Sequence, residues 1–223
     1  MNPLEPACTV RGGWQSGDRR NQKAGGGAVG DYFQTVVDRD VTEADAAPLA
    51  ARVVAWLVAE GVIGPDRTEP VLGRDPGYPP GPRMREVVDS SGWGEPWQGG
   101  GLDVAVTRTV FDAGQYADPS SARCPRCERD VEFQDRALQE IPGAWDPFSE
   151  AIEDWEAGVE ALVRCAHCDA SSPLVDWTGM EHCFAFGALG FTFWGWPDLT
   201  PAFLEEFGRR LDGHRAVLVS GKI

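Results

Sequence analysis

Apolar and polar positions along this chain switch between two periods. Asp31-Tyr-Phe-Gln-Thr-Val-Val-Asp38 alternates and is rich in β-branched and aromatic residues, which predicts a strand. Leu49, Val53 and Leu57 then recur at i, i+4 and i+8 with Val54 and Trp56 beside them, which predicts a helix from Thr42 or Asp45 to Glu60. Thr42 and Asp45 both suit an N-cap, Pro48 is placed in the first turn, and Gly61 ends the helix. Residues 64–101 are dense in Gly and Pro and leave room only for a short element near Arg85–Val88. Leu102–Phe111 reads as a second strand. Phe184–Trp196 reads as a third, with Leu189, Phe191 and Phe193 on one face. Thr200-Pro201 opens a helix carrying Leu204, Phe207 and Leu211, which Gly213 terminates. Ala216–Val219 is the last strand, running out at Ser220-Gly221.

Between the second and third strands lies a segment of different character, from about Ala122 to Asp176. Phe148, Ile152 and Trp155 mark a short helix in it, with Asp146 as N-cap and Pro147 at the first helical position. With that segment omitted the order is β-α-β-β-α-β, that of the ferredoxin-like split βαβ fold. The expected fold class is therefore α+β: a body over residues 31–121 and 177–223, with residues 122–176 inserted as a separate module. Residues 1–30 hold seven glycines and no apolar period, so they read as a disordered tail. The run Lys23-Ala-Gly-Gly-Gly27 is what a purine-rich ribosome-binding site encodes when translated, which suggests a native start near Val29.

The inserted segment carries the clearest chemical signal. Cys124-Pro-Arg-Cys127 and Cys165-Ala-His-Cys168 are two CxxC pairs separated by 37 residues. A CxxC turn presents two sulfurs to one side, and two such turns supply the four thiolates of a tetrahedral zinc site. Cys124, Cys127, Cys165 and Cys168 are thus the expected ligands of a structural zinc. A closed Cys₄ site leaves no position for water, so it stabilises and does not catalyse. The gap exceeds the ~15–20 residues of a compact ribbon, and the helix after Asp146 accounts for the excess. His167, inside the second pair, is expected to face solvent.

Charge sharpens this picture. The 223 residues carry 35 acidic against 20 basic side chains, a formal net charge of −15. Phosphate contacts need clustered Lys and Arg, so no nucleic-acid partner is expected. The excess is concentrated between the two cysteine pairs, where residues 128–160 hold eleven acids against Arg129 and Arg136, a local net of −9. No stretch approaches the roughly 20 apolar residues that span a bilayer, and no signal-peptide core is present, so a cytoplasmic location without membrane attachment is expected.

Motifs for several enzyme classes are missing. The chain has no GxxxxGK[ST], HExxH or GxSxG, and every histidine lies after Cys127, which excludes the zinc-deaminase order. A small-molecule enzyme remains as a rival reading. Its pocket would lie near Trp93 and Trp97, with His182, Cys183 or His214 as the titrating group. The plainer expectation for Cys183 is a core position, and for His214 an entry to the last strand. The nine tryptophans, among them Trp177, Trp194 and Trp196, are expected mainly to cover the sheet and join the module to the body.

Asp31–Asp38, Cys124-Pro-Arg-Cys127, Gly190-Phe-Thr-Phe-Trp-Gly-Trp-Pro197 and Val217-Leu-Val-Ser-Gly-Lys-Ile223 together resemble a family of uncharacterised actinobacterial zinc-ribbon proteins. The resemblance runs from about Asp31 to the end of the chain. Some similar proteins carry the label of sugar-transporter ATPase. The nucleotide-binding motifs such a label requires are missing here, so the resemblance implies a lineage and no catalytic residue. The expected function is a protein-binding or adaptor module that turns an acidic zinc-ribbon surface to a basic protein partner, with an immunity-type inhibitor of a basic protein as a further alternative.

Overall fold

The computed structural model describes residues 32–70, 76–91, 100–115, 118–181 and 183–223. The predicted tail, Asp31, Trp93, Trp97 and His182 lie outside them. In chain order, the principal elements are β1 (Tyr32–Asp38), α1 (Glu43–Ala59), β2 (Leu102–Ala105), β3 (Thr109–Asp112), β4 (Ser121–Arg123), β5 (Asp130–Glu132) and α2 (Asp146–Glu156). Then come β6 (Leu162–Arg164), β7 (Ser171–Pro173), β8 (Phe184–Gly187), β9 (Leu189–Trp194), α3 (Pro201–Arg210) and β10 (Ala216–Lys222). The chain is mixed α and β, with antiparallel strand pairs throughout the described ladders.

The main sheet has the order β10-β1-β9-β2. Val36 lies opposite both Phe191 and Leu218, which fixes the register of the three strands at their centre. Helices α1 and α3 share one face of this sheet. Leu49, Val53 and Leu57, the predicted stripe, are buried there with Val36, Phe191, Phe193 and Phe207. Thr42 caps α1, its hydroxyl accepting the Asp45 N–H at 3.3 Å and donating to the Asp45 carboxylate at 2.7 Å. Because α1 starts at Glu43, Pro48 falls in its second turn and has no N–H to offer the carbonyl four residues back. Thr200 caps α3 as expected, accepting from the Phe203 N–H.

The opposite face of the sheet is covered by a two-stranded ribbon, β3 paired with β8. Val37, Phe111, Ala113, Ala185 and Val219 are buried between the two layers. The predicted strand β1 is therefore buried on both faces. Two predicted strands are each two. Leu102–Phe111 breaks over 106–108, so that β2 joins the main sheet and β3 the ribbon. Phe184–Trp196 breaks at Ala188 in the same manner and ends at Trp194. The layers approach so closely at these breaks that a Cβ on Gly187 would stand 2.4 Å from the Asp38 carbonyl oxygen. Strand β10 runs past its predicted end to Lys222, because Gly221 lets it pass within van der Waals range of the Ala113 carbonyl.

The polar positions of β1 are used structurally. Gln34, 1% exposed, donates to the Pro197 carbonyl at 2.9 Å and accepts from the Leu199 N–H at 3.0 Å, fastening the turn that leads into α3. Thr35 and Thr192 join hydroxyls across the ladder at 3.0 Å.

A candidate metal centre on paired knuckles

Two hairpins of identical construction hold the four cysteines. In the first, β4 leads into Cys124, the chain turns through Cys127 and Glu128, and β5 returns. In the second, β6 leads into Cys165, the turn runs through Cys168 and Asp169, and β7 returns. The Cys124 N–H donates to the Arg129 carbonyl at 3.0 Å and the Glu128 N–H to the Cys124 carbonyl at 3.0 Å. The second hairpin repeats both bonds, Cys165 to Ala170 at 2.9 Å and Asp169 to Cys165 at 3.0 Å. Each turn aims an amide at the leading sulfur: the Arg126 N–H meets Cys124 Sγ at 3.4 Å, and the His167 N–H meets Cys165 Sγ at 3.3 Å.

Both turns close on a residue in the left-handed region, Glu128 at φ +56° and Asp169 at φ +58°. Glycine takes that conformation without strain, whereas a side chain raises its energy by about 1 kcal/mol. Glu128→Gly is therefore expected to raise the denaturation midpoint by the equivalent of about 1 kcal/mol with an unchanged urea slope. A lowered midpoint would show that the exposed Glu128 side chain contributes more than its strain removes.

The four sulfurs all lie within 4.8 Å of one another. Cys124 Sγ stands 3.9 Å from Cys168 Sγ, and Cys127 Sγ stands 3.8 Å from Cys165 Sγ. These contacts pair one cysteine of each hairpin with one of the other. They are far longer than the ~2.05 Å of a disulfide. They match the ~3.8 Å edge of a tetrahedron whose corners lie about 2.3 Å from its centre, the metal–sulfur distance of a thiolate zinc site. The cluster is compatible with a metal.

Electrostatics favour a cation at the centre. The backbone N–H of Arg129 draws the Cys127 thiol down to about 6. At Cys168 the Ala170 amide favours the thiolate, but desolvation and the three neighbouring sulfurs together push the thiol up to about 11. Four thiolates at these separations would repel one another, and a divalent ion between them would offset that repulsion. Cys124 and Cys165 are buried, Cys127 is half-buried and Cys168 is exposed, so the cluster opens to the surface along one edge.

The two hairpins are tied together outside the cluster. Arg129 donates to the His167 carbonyl at 2.7 Å, and the His167 ring meets the Asp130 carbonyl at 2.9 Å. His167 is thus engaged with backbone and stands outside the four-sulfur set. Below the hairpins an aromatic core carries the module. Phe148 packs edge-on to Phe133 at 5.0 Å and to Trp177 at 4.9 Å, and lies stacked on Trp145 at 5.7 Å. Helix α2 begins with Trp145 as N-cap, which has no side-chain cap bond, so Asp146 is its first helical residue and not the predicted cap. The apolar cluster continues beyond 122–176 into Val110, Phe184 and Phe186 of the ribbon, so module and body share a floor.

Two arginines seal that seam. Arg108 lies over the Trp155 ring at 3.8 Å and donates to the Val159 carbonyl at 2.7 Å. Arg39, at the end of β1, donates to the Val175 carbonyl at 2.5 Å and faces Glu181 at 3.8 Å. Burial pushes the Arg39 guanidinium below its ordinary value, and Glu181 opposes that shift.

The other residues singled out in the sequence are dispersed. Cys183 is 1% exposed in the core, away from the four-sulfur cluster. Trp177, Trp194 and Trp196 are buried, as the packing expectation has it. His214 enters β10 and also does something the sequence does not signal. Its Nδ1 lies 2.8 Å from the Asp38 carboxylate, which is fully buried and whose other oxygen accepts the N–H groups of Asp40 (2.9 Å) and Val41 (3.0 Å). The pair spans 176 residues and fastens the end of β1 to the turn after α3. Elsewhere, a cleft of about 260 Å³ lies between α1 and α3, floored by Trp56 and Phe203. Its rim charges are paired, Arg83 with Glu60 and Glu86, and Arg210 with Glu206. Among the described residues no helix is long and apolar enough to cross a membrane. No family model, curated protein or solved structure matches the chain.

Proposed function

We propose that the chain is a protein-binding or adaptor module in which a structural zinc, held by Cys124, Cys127, Cys165 and Cys168, fixes an acidic ribbon surface toward a basic protein partner. Support for zinc comes from the donor set and from the two cross-hairpin sulfur separations of 3.9 and 3.8 Å. In this reading the metal module is an insert in a ferredoxin-like body, for which the strand order β10-β1-β9-β2 argues: the last strand beside the first, then the third and the second. The cytoplasm, where thiols stay reduced, suits such a site.

The observation that carries the functional reading is the division of labour in α2. Phe148 and Ala151 are buried against the module core, while Glu150, Glu153 and Asp154 face solvent. That helix lies in the stretch with a net charge of −9. Such a surface attracts cationic partners over a Debye length of about 10 Å at 0.1 M salt. Affinity capture from native cytosol tests this with the wild type and a Glu150→Lys/Glu153→Lys/Asp154→Lys variant. A partner with a basic surface is expected, released by moderate salt and lost in the variant. A partner that survives both high salt and charge reversal would refute the acidic-surface reading.

A further inference from the structure

The chain leaving β5 folds into a hairpin whose tip, Asp135–Gln139, displays a leucine to solvent. The Asp135 carboxylate accepts the N–H groups of Ala137 (2.7 Å) and Gln139 (3.0 Å). Backbone bonds from Asp135 to the Gln139 carbonyl (2.8 Å) and from Leu138 to the Asp135 carbonyl (2.9 Å) close the turn, and the Ile141 N–H joins the stem at the Phe133 carbonyl (2.8 Å). The tip is thus pre-organised, which lowers the entropy lost when it docks.

Leu138 is a poor choice for this position in the free protein. Its φ of +60° lies where Gly or Asn fits best, and its side chain is 75% exposed. A strained residue whose side chain is mostly exposed gains little from that side chain within the fold, which points to a use outside it. Its surroundings agree. Among the described residues, large exposed hydrophobic side chains are Leu138, Ile141, Val159, Leu162 and Ile223, and the first four all fall between the two cysteine pairs. The same stretch concentrates the acidic charge, and Glu132, Asp135 and Glu140 flank the tip against a single Arg136.

We propose that Leu138 is the apolar anchor of the docking surface, entering an apolar pocket rimmed by Lys and Arg on a cationic protein partner. An apolar centre within a charged rim is the usual anatomy of a binding hot spot, with the rim setting steering and the centre setting affinity. This rests on the reading of the module as an acidic docking surface, and it names the residue on which affinity depends.

The test pans a displayed library of random dodecapeptides on the full chain, then measures the selected peptides by fluorescence anisotropy. The proteins compared are the wild type, Leu138→Gly, Leu138→Asn and the Glu150→Lys/Glu153→Lys/Asp154→Lys variant. Enriched peptides are expected to combine Lys or Arg with a large apolar residue and to bind both Leu138 variants at least about tenfold more weakly. Both variants should melt at or above the wild-type temperature, since their backbones suit a positive φ, so lost binding cannot be put down to lost folding. Peptides that bind the Leu138 variants as well as the wild type but lose the charge-reversed protein would overturn the anchor and leave the acidic surface standing. No enrichment of cationic peptides, or binding indifferent to salt and charge reversal, would overturn both. A wild-type self-association abolished by Leu138→Gly would overturn the proposal by assigning the tip to a second copy of this chain.

Discussion

Replacing Cys165 with serine is expected to release the metal and unfold the module while the helix-covered sheet stays folded. Elemental analysis of the purified wild type should give one zinc per chain, and the variant should retain none. Structural zinc sites contribute on the order of 10 kcal/mol or more, as much as the whole stability of a typical small domain. The module's own packing, centred on Phe133, Phe148 and Trp177, is a small core beside the larger one on the helix face of the sheet. Near-ultraviolet circular dichroism should therefore lose the signal of Trp145, Trp155 and Trp177, and a separate, later melting transition should persist for the body. A strong chelator should reproduce the variant's behaviour in the wild type. So should acid, because protons compete with the metal for thiolate and binding is lost as pH falls. Cys183→Ser supplies the control, since Cys183 is buried outside the cluster and its loss should leave the metal content unchanged. A Cys165→Ser protein that keeps its zinc and its two transitions would show that the cluster is not the metal site.

Phe207→Ala is expected to destabilise the body by about 3–5 kcal/mol, the range for truncating a buried aromatic side chain to alanine. Phe207 is fully buried and makes edge contacts with Phe191 (5.0 Å), Trp56 (5.7 Å), Phe203 (5.8 Å) and Phe193 (6.2 Å). It is the point where α3, α1 and β9 meet, so no single element can relax to fill the space. Leu204 on the same helix is only partly buried, and Leu204→Ala should cost clearly less. Urea denaturation of the two variants measures the difference. A Phe207→Ala loss no larger than that of Leu204→Ala would mean that the layer collapses around the cavity.

Local patterns were legible wherever one short stretch of chain determines the outcome. The stripe Leu49, Val53, Leu57 and the cap Thr42 suffice for α1, because a helix satisfies its own backbone and needs only an apolar face to dock. Thr200-Pro201 suffices for α3 for the same reason. The CxxC spacing brings two sulfurs together within each hairpin, since four residues are enough to form the turn. That both turns close on acidic residues in the left-handed region was not legible, because Gly is the usual signal there and Glu128 and Asp169 are not.

The strands show the opposite case. Leu102–Phe111 contains neither Gly nor Pro, and its alternation gives no sign that it divides between two layers. Alternation reports which side chains share a face but not which strand will pair along the edge, and a strand's hydrogen bonds are made to a distant partner. The same limit hid the double burial of β1 and the Asp38–His214 contact across 176 residues.

Local spacing and composition alone specify the two helices of the body, the cysteine pairs, and the concentration of acid between them. Each of these rests on spacing within a few turns of chain or on composition alone. The folded chain adds what spacing cannot: it closes the two cysteine pairs into one four-sulfur cluster, covers the sheet on both faces, and sets a strained leucine at the tip of the acidic module. Those outcomes depend on contacts between residues far apart in the chain, whose energies arise from packing, desolvation and charge repulsion that exist only once the layers have come together.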